Sequence, residues 1–128
     1  MKQISGINIK NIKKYFSELV IVEGKKDEKA LSELGFKRIF VLAGKPFYSC
    51  IEKIEEQVLG LDCRVCILTD LDKKGRKLYY LIKKELSRRN VKFDDSLRGV
   101  LIKEKVSHVE GLMSFINKTR RNEKVLVI

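Results

Sequence analysis

The chain has 128 residues, 44% of them hydrophobic, enough for one domain with its own core and no need of a disulfide or metal staple. Its 28 basic residues outnumber 17 acidic ones, a formal net charge of +11; this favours polyanionic partners, nucleic acid first, with a solvated lysine-rich surface as the alternative. No apolar run approaches the roughly 18 residues of a membrane span, and Met1–Gly6 lacks a signal peptide's apolar stretch, so the expected setting is cytoplasmic with no membrane partner.

Taken in chain order, the apolar spacing predicts a helix over Ile9–Ser17, with Ile9, Ile12 and Phe16 on one side. A buried strand follows at Glu18–Val22, then a helix at Asp27–Leu34 closed by Gly35 as C-cap. Lys37–Leu42 reads as the second strand and Ala43–Pro46 as a loop broken by the only proline. Phe47–Leu59 is a helix with Ile51, Ile54 and Val58 on one face, ended by Gly60. The third strand is Val65–Thr69, and Lys74–Asn90 is the longest helix, with Leu78, Leu81, Ile82 and Leu86 toward the core. After a connection at Asn90–Asp95, Gly99–Ile102 reads as a fourth strand. Ser107-His108-Val109-Glu110 has the S-x-x-E pattern of a capping box and opens a helix to about Asn117. A basic tail with Lys118, Arg120 and Arg121 leads to apolar Val125–Ile128, a candidate edge strand.

This alternation predicts an α/β fold: a Rossmann-like open parallel sheet of about four strands, order 2-1-3-4, flanked by helices. The expected organisation is one domain over 1–128, its core at about 18–102 between a helical segment at 9–17 and an extension at 103–128. That order makes the first and third strands neighbours, and open α/β sheets bind ligands beyond the carboxyl ends of strands at such a switch point. Two apolar runs stop there at carboxylates: Val22-Glu23-Gly24-Lys25-Lys26-Asp27 after the first strand, and Thr69-Asp70-Leu71-Asp72-Lys73-Lys74-Gly75 after the third. Asp70 and Asp72 lie two apart in an extended segment and can point the same way. Adjacent strands lie about 4.8 Å apart, so Glu23 can reach the same crevice.

Three gathered carboxylates repel one another unless a cation intervenes. Magnesium, as one or two ions with manganese as a substitute, suits oxygen ligands and shares its shell with phosphate. Glu23 is also a candidate general acid or base. Gly24 allows a tight turn, and Gly75 opens the long helix, whose amide-rich N-terminus favours a phosphate. The competing reading is that Asp27 and Asp72 are helix caps. Lys25, Lys73, Lys74, Arg76 and Lys77 flank the acids as candidate phosphate contacts, and Lys83, Lys84, Arg88 and Arg89 extend the charge along the helix. Tyr79 and Tyr80 read as packing residues. Cys63 and Cys66 form a C-x-x-C, but on a strand such thiols diverge and no second pair exists, which argues against zinc or redox chemistry.

On these two motifs the chain resembles the Toprim family, the catalytic domain shared by topoisomerases, bacterial-type primases, overcoming-lysogenization-defect nucleases and 5S ribosomal RNA maturation nucleases. Glu23-Gly24 matches the family's glutamate-glycine and Asp70-Leu71-Asp72 its Asp-x-Asp, while Gly44 sits where many members carry a glycine. The resemblance spans roughly Glu18 to Ile102. It implies that Glu23 is the general acid or base, that Asp70 and Asp72 hold magnesium, and that nucleic acid is the partner. Topoisomerases usually carry a third aspartate where this chain has Lys74, and they need a tyrosine on a further domain; the departure is more like primases and maturation nucleases. The expected function is magnesium-dependent, nuclease-like action on phosphodiester bonds of RNA or DNA. The alternative is a non-catalytic binding module within a repair or RNA-processing complex. His108 and Glu110 are outside candidates for the site.

Overall fold

The computed structural model describes residues 12–103 and Gly111. Residues 9–11 of the expected first helix, the Ser107 capping box, the basic tail and Val125–Ile128 lie outside the described residues.

Strands β1 (Leu19–Val22), β2 (Ile39–Val41) and β3 (Val65–Ile67) form a parallel sheet in the order β2-β1-β3. Helix α1 (Lys25–Leu34) joins β1 to β2, α2 (Phe47–Leu61) joins β2 to β3, and α3 (Lys73–Arg88) and α4 (Ser96–Lys103) follow. Central β1 is buried at every position because helices cover both faces, which is why its sequence shows no polar alternation. Val20, Val22, Cys66 and Leu68 pack with Leu31 of α1 and Leu97 and Leu101 of α4. Leu19, Ile21, Val65 and Ile67 pack on the other face with Ile54 of α2 and with Ile82 and Leu86 of α3. The two thiols of the C-x-x-C do diverge, Cys66 into the first cluster and Cys63 against the second.

The expected fourth strand is corrected: Gly99–Ile102 lies inside helix α4, and the sheet has three strands among the described residues. The short apolar run fits either period. The surroundings decide for the helix, since Leu97 and Leu101, one turn apart, are buried while Gly99 and Ile102 face out. The Asp94 carboxylate also accepts from the Ser96 N–H at 2.9 Å, satisfying a donor at the start of α4. The place beside β3 is taken earlier in the chain. Val65 donates to the Lys92 carbonyl at 2.9 Å and accepts from Asp94 N–H at 3.0 Å, making a single parallel bridge at Phe93. A second correction concerns Gly60: α2 runs through it, and Asp62, left-handed at φ 48°, is the C-cap. Gly35 does cap α1, at φ 114°, with Phe16 ring atoms 2.8 Å from where a Cβ would lie. Of the residues read as packing on α3, Tyr80 is instead 69% exposed and Leu81 42%.

At the amino end of the sheet, Glu18 is buried beside Asp94. Burial, then the hydrogen bond to Asp94 and its negative charge, push the Glu18 pKa from 4.5 up to about 7. The folded chain keeps a proton that the unfolded chain has already lost, so stability falls as pH rises from 4.5 to about 7. Burial also pushes Asp94 upward, but bonds from the Ser96 hydroxyl and amide and from Glu18 bring it net below its usual value of 3.8. The Asp94 contribution is therefore complete above that range and is lost only as pH falls lower. Urea unfolding midpoints at about pH 5 and about pH 7.5 should differ in favour of the lower pH, and Glu18→Gln should flatten the difference.

Candidate functional site

β1 and β3 end on the same side of the sheet, and the structure joins the residues that follow them. The backbone N–H of Asp70 donates to Oε2 of Glu23 at 2.8 Å, across 47 positions of sequence. Around that contact, Leu68 N–H donates to the Ile21 carbonyl at 2.8 Å, and Ala43 N–H donates to the Glu23 carbonyl at 2.8 Å. Glu23 is thus the meeting point of the segments leaving all three strands. The turn after β2 carries two left-handed residues, Ala43 at φ 39° and Gly44 at φ 72°. This turn, with Glu23, Lys45, Phe47 and Lys74, lines a cavity of about 230 Å³ at the carboxyl edge of the sheet.

Glu23 and Asp70 are half-buried, whereas Asp72 is exposed. Asp72 is the N-cap of α3: its Oδ1 accepts from Gly75 N–H at 2.7 Å. The cap reading of Asp72 therefore holds. One carboxylate oxygen serves the helix, and the cap leaves the other unused. Among the described residues, no three His, Cys, Asp or Glu side chains are gathered as a metal-binding group. The structure brings Glu23 to Asp70 and sets Asp72 at the head of the next helix. Magnesium keeps several waters and is commonly held by one or two carboxylates plus substrate phosphate. Glu23 and Asp70 offer hard-oxygen carboxylates from adjacent strand ends, the donor type magnesium takes, although the contact between them is made by the Asp70 backbone amide.

The two glycines have different roles from those expected. Gly24 is extended at φ −140°, ψ 174°, a conformation open to any residue, and its N–H donates to Oδ2 of Asp27 at 3.1 Å. Asp27 thus reaches back to cap α1 from within its first turn. Gly75 is the constrained one: a Cβ there would lie 2.0 Å from the Asp70 carbonyl oxygen. Its own carbonyl accepts from the Thr69 hydroxyl at 2.6 Å. The first turn of α3 is therefore packed directly on the backbone of the Asp70 segment.

Lys73, Lys74, Arg76 and Lys77 are all exposed on the first turns of α3, and Lys25 is exposed at the start of α1. Farther along α3 the positive charge is largely balanced. Lys83 pairs with Asp95, Arg88 with Glu85 and Arg89 with Glu55, leaving Lys84 among the expected distal contacts. His108 and Glu110 lie outside the described residues. One residue near the site escapes a sequence reading: Arg98 of α4, 4% exposed, whose guanidinium meets the carboxyl end of β3. Its only sequence signal is a cation between Leu97 and Leu101, on what proves to be the buried face of a helix.

The Toprim domain family matches residues 18–96. A UPF0292 protein of Methanocaldococcus jannaschii is 30% identical over 103 residues, covering 77% of this chain and 78% of that protein. Another, of Methanosarcina barkeri, is 33% identical over 111 residues, covering 80% and 71%. A solved protein from Aquifex aeolicus is 32% identical with a TM-score of 0.69, over 80% of this chain and 92% of its own. No helix among the described residues is long and apolar enough to cross a membrane.

Proposed function

This chain belongs to the Toprim family, and from that premise we propose that it is a magnesium-dependent enzyme cleaving phosphodiester bonds of nucleic acid. Toprim membership makes it a metal-binding module of nucleic-acid chemistry; cleavage, magnesium and the residue roles are our reading. The observation that carries it is the 2.8 Å bond from the Asp70 amide to the Glu23 carboxylate, beside a helix that begins with exposed cations.

Those cations favour a phosphate partner on energetic grounds. A helix N-terminus is electropositive and prefers acids, so each Lys or Arg in the first turn costs about 0.3–1 kcal/mol. Helix α3 has no acidic residue in its first turn, only the Asp72 cap before it. A phosphate seated there attracts both the cations and the helix amides, and so offsets that cost. Asp70 would hold the ion, joined by the oxygen of Asp72 not used by the cap, while Oε1 of Glu23, not engaged by the Asp70 amide, serves as the proton acceptor. When bound, the ion supplies Lewis-acid stabilisation of negative charge on the scissile phosphate. Glu23 takes the proton of the attacking water as the water oxygen bonds to phosphorus, and the proton returns to the leaving oxygen as its bond to phosphorus breaks. Lys73, Lys74, Arg76, Lys77 and Lys25 position the backbone without reading bases, so affinity should fall steeply with salt.

The test is incubation of the pure chain with end-labelled RNA and DNA, in magnesium and in chelator. Cleavage in magnesium alone is expected; no cleavage of any substrate would remove the enzyme reading. The engagement of Asp72 as a cap favours a second reading, a binding module without activity of its own. Asp72→Ser separates the roles, because serine caps a helix nearly as well as aspartate but lacks the carboxylate. Unfolding stability should stay within about 0.5 kcal/mol while manganese affinity by calorimetry falls several-fold. Unchanged affinity would reduce Asp72 to its capping role.

A further inference from the structure

Where β3 stops, its last carbonyls need new partners, and one side chain supplies them: we propose that Arg98 is the positioning residue that holds the Asp70 segment against Glu23. The consequence drawn for metal capture rests on the reading above; the clamp itself does not. Nη1 of Arg98 donates to the Thr69 carbonyl at 2.6 Å, and it also reaches the Ile67 carbonyl at 3.3 Å and the Thr69 hydroxyl at 3.2 Å. Nη2 reaches the Asp70 carbonyl at 3.4 Å. Arg98 is 4% exposed, and among the described residues it forms no ion pair. A buried guanidinium is costly unless its donors are used, and here backbone oxygens use them.

The arrangement links the candidate site into one unit. The Thr69 hydroxyl that meets Arg98 donates to the Gly75 carbonyl at 2.6 Å, tying the clamp to the first turn of α3. The Tyr79 ring lies against the guanidinium, 4.4 Å from Cζ to the ring centroid, and its hydroxyl donates to Asp95 at 2.8 Å. Arg98 therefore has a fixed seat. On the far side of the same segment, the Asp70 amide donates to Glu23. The segment is held from two directions, by a carboxylate in front and a guanidinium behind. A lysine cannot repeat this, because a single ammonium lacks the planar fork that serves several carbonyls at once.

The experiment is amide hydrogen exchange by NMR on the metal-free full chain, for wild type, Arg98→Lys and Tyr79→Leu, followed by manganese titration of each. In Arg98→Lys the Asp70 amide should exchange at least about tenfold faster, with Leu19–Val22 unchanged. Tyr79→Leu, which loosens the seat without touching the clamp, should give a smaller change at the same amide. Manganese should broaden Glu23 and Asp70 signals in wild type and require several-fold more ion in Arg98→Lys. An Asp70 amide equally protected in both variants would overturn the proposal. So would faster exchange of every sheet amide by one common factor, which would make Arg98 a stabiliser of the fold at large. Absence of manganese broadening in wild type would overturn the metal reading, while the metal-free exchange still decides the clamp.

Discussion

Replacing Gly75 by alanine should lower the unfolding free energy by about 3 kcal/mol, the upper end for overpacking, and weaken manganese binding at least about tenfold. The added Cβ would lie 2.0 Å from the Asp70 carbonyl oxygen, 2.6 Å from its carbon and 2.8 Å from its nitrogen. All three obstacles are backbone, so no side-chain rotation relieves the overlap. The carbonyl is held from behind by Arg98, and the first turn of α3 is held by its bonds to Asp72 and Thr69. Relief requires the turn to move off the Asp70 segment, which alters the site at the same time. Gly60→Ala and Gly99→Ala are the internal controls. Nothing lies within 4 Å of a Cβ at either position. Both are helical, so alanine there should stabilise by about 0.5–1 kcal/mol. Urea unfolding of the three variants checks the contrast; a Gly75→Ala chain as stable as wild type would contradict the packing described.

The meeting of Glu23 and Asp70 was legible because it depends on topology. Buried parallel strands are apolar throughout, so the carboxylates that end them are conspicuous, and a 2-1-3 order makes their ends neighbours. The glycines were legible only as positions. A glycine after an acid suggests a tight turn, yet Gly24 is extended and open, while Gly75 is required by a carbonyl five residues earlier that loops back onto it. Close approach of that kind is not written in local spacing. The charge on α3 likewise reads as one continuous strip, because Glu55 and Asp95, which balance its distal half, come from other elements. The fourth strand failed for a related reason. Three apolar side chains after a glycine hold too few periods to separate strand from helix, and burial of Leu97 and Leu101 against the sheet decides it. Arg98 followed that error: on a strand it is a flank, on α4 it points at the site.

Glu23→Gln should reduce magnesium-dependent cleavage by about 10²–10⁴-fold, the usual contribution of a positioned acid or base. Asp70→Asn should abolish measurable magnesium affinity along with activity. Both changes are nearly isosteric, and the local structure explains why they are informative. The amide oxygen of a glutamine in place of Glu23 can still accept from the Asp70 N–H, and Asp70→Asn keeps that N–H because it belongs to the backbone. The bond joining the two strand ends can therefore form in each variant, weaker in Glu23→Gln because its acceptor is no longer charged. Stability in chelator should therefore change by no more than about 1 kcal/mol. A loss of activity with unchanged stability can then be assigned to the carboxylate. Cleavage kinetics in magnesium with unfolding in chelator separate the possibilities. An Asp70→Asn chain that cleaves at the wild-type rate would remove Asp70 from the site, and with it the reason for placing a metal between β1 and β3. Parallel losses of activity and stability would instead assign both acids to holding the strand ends together.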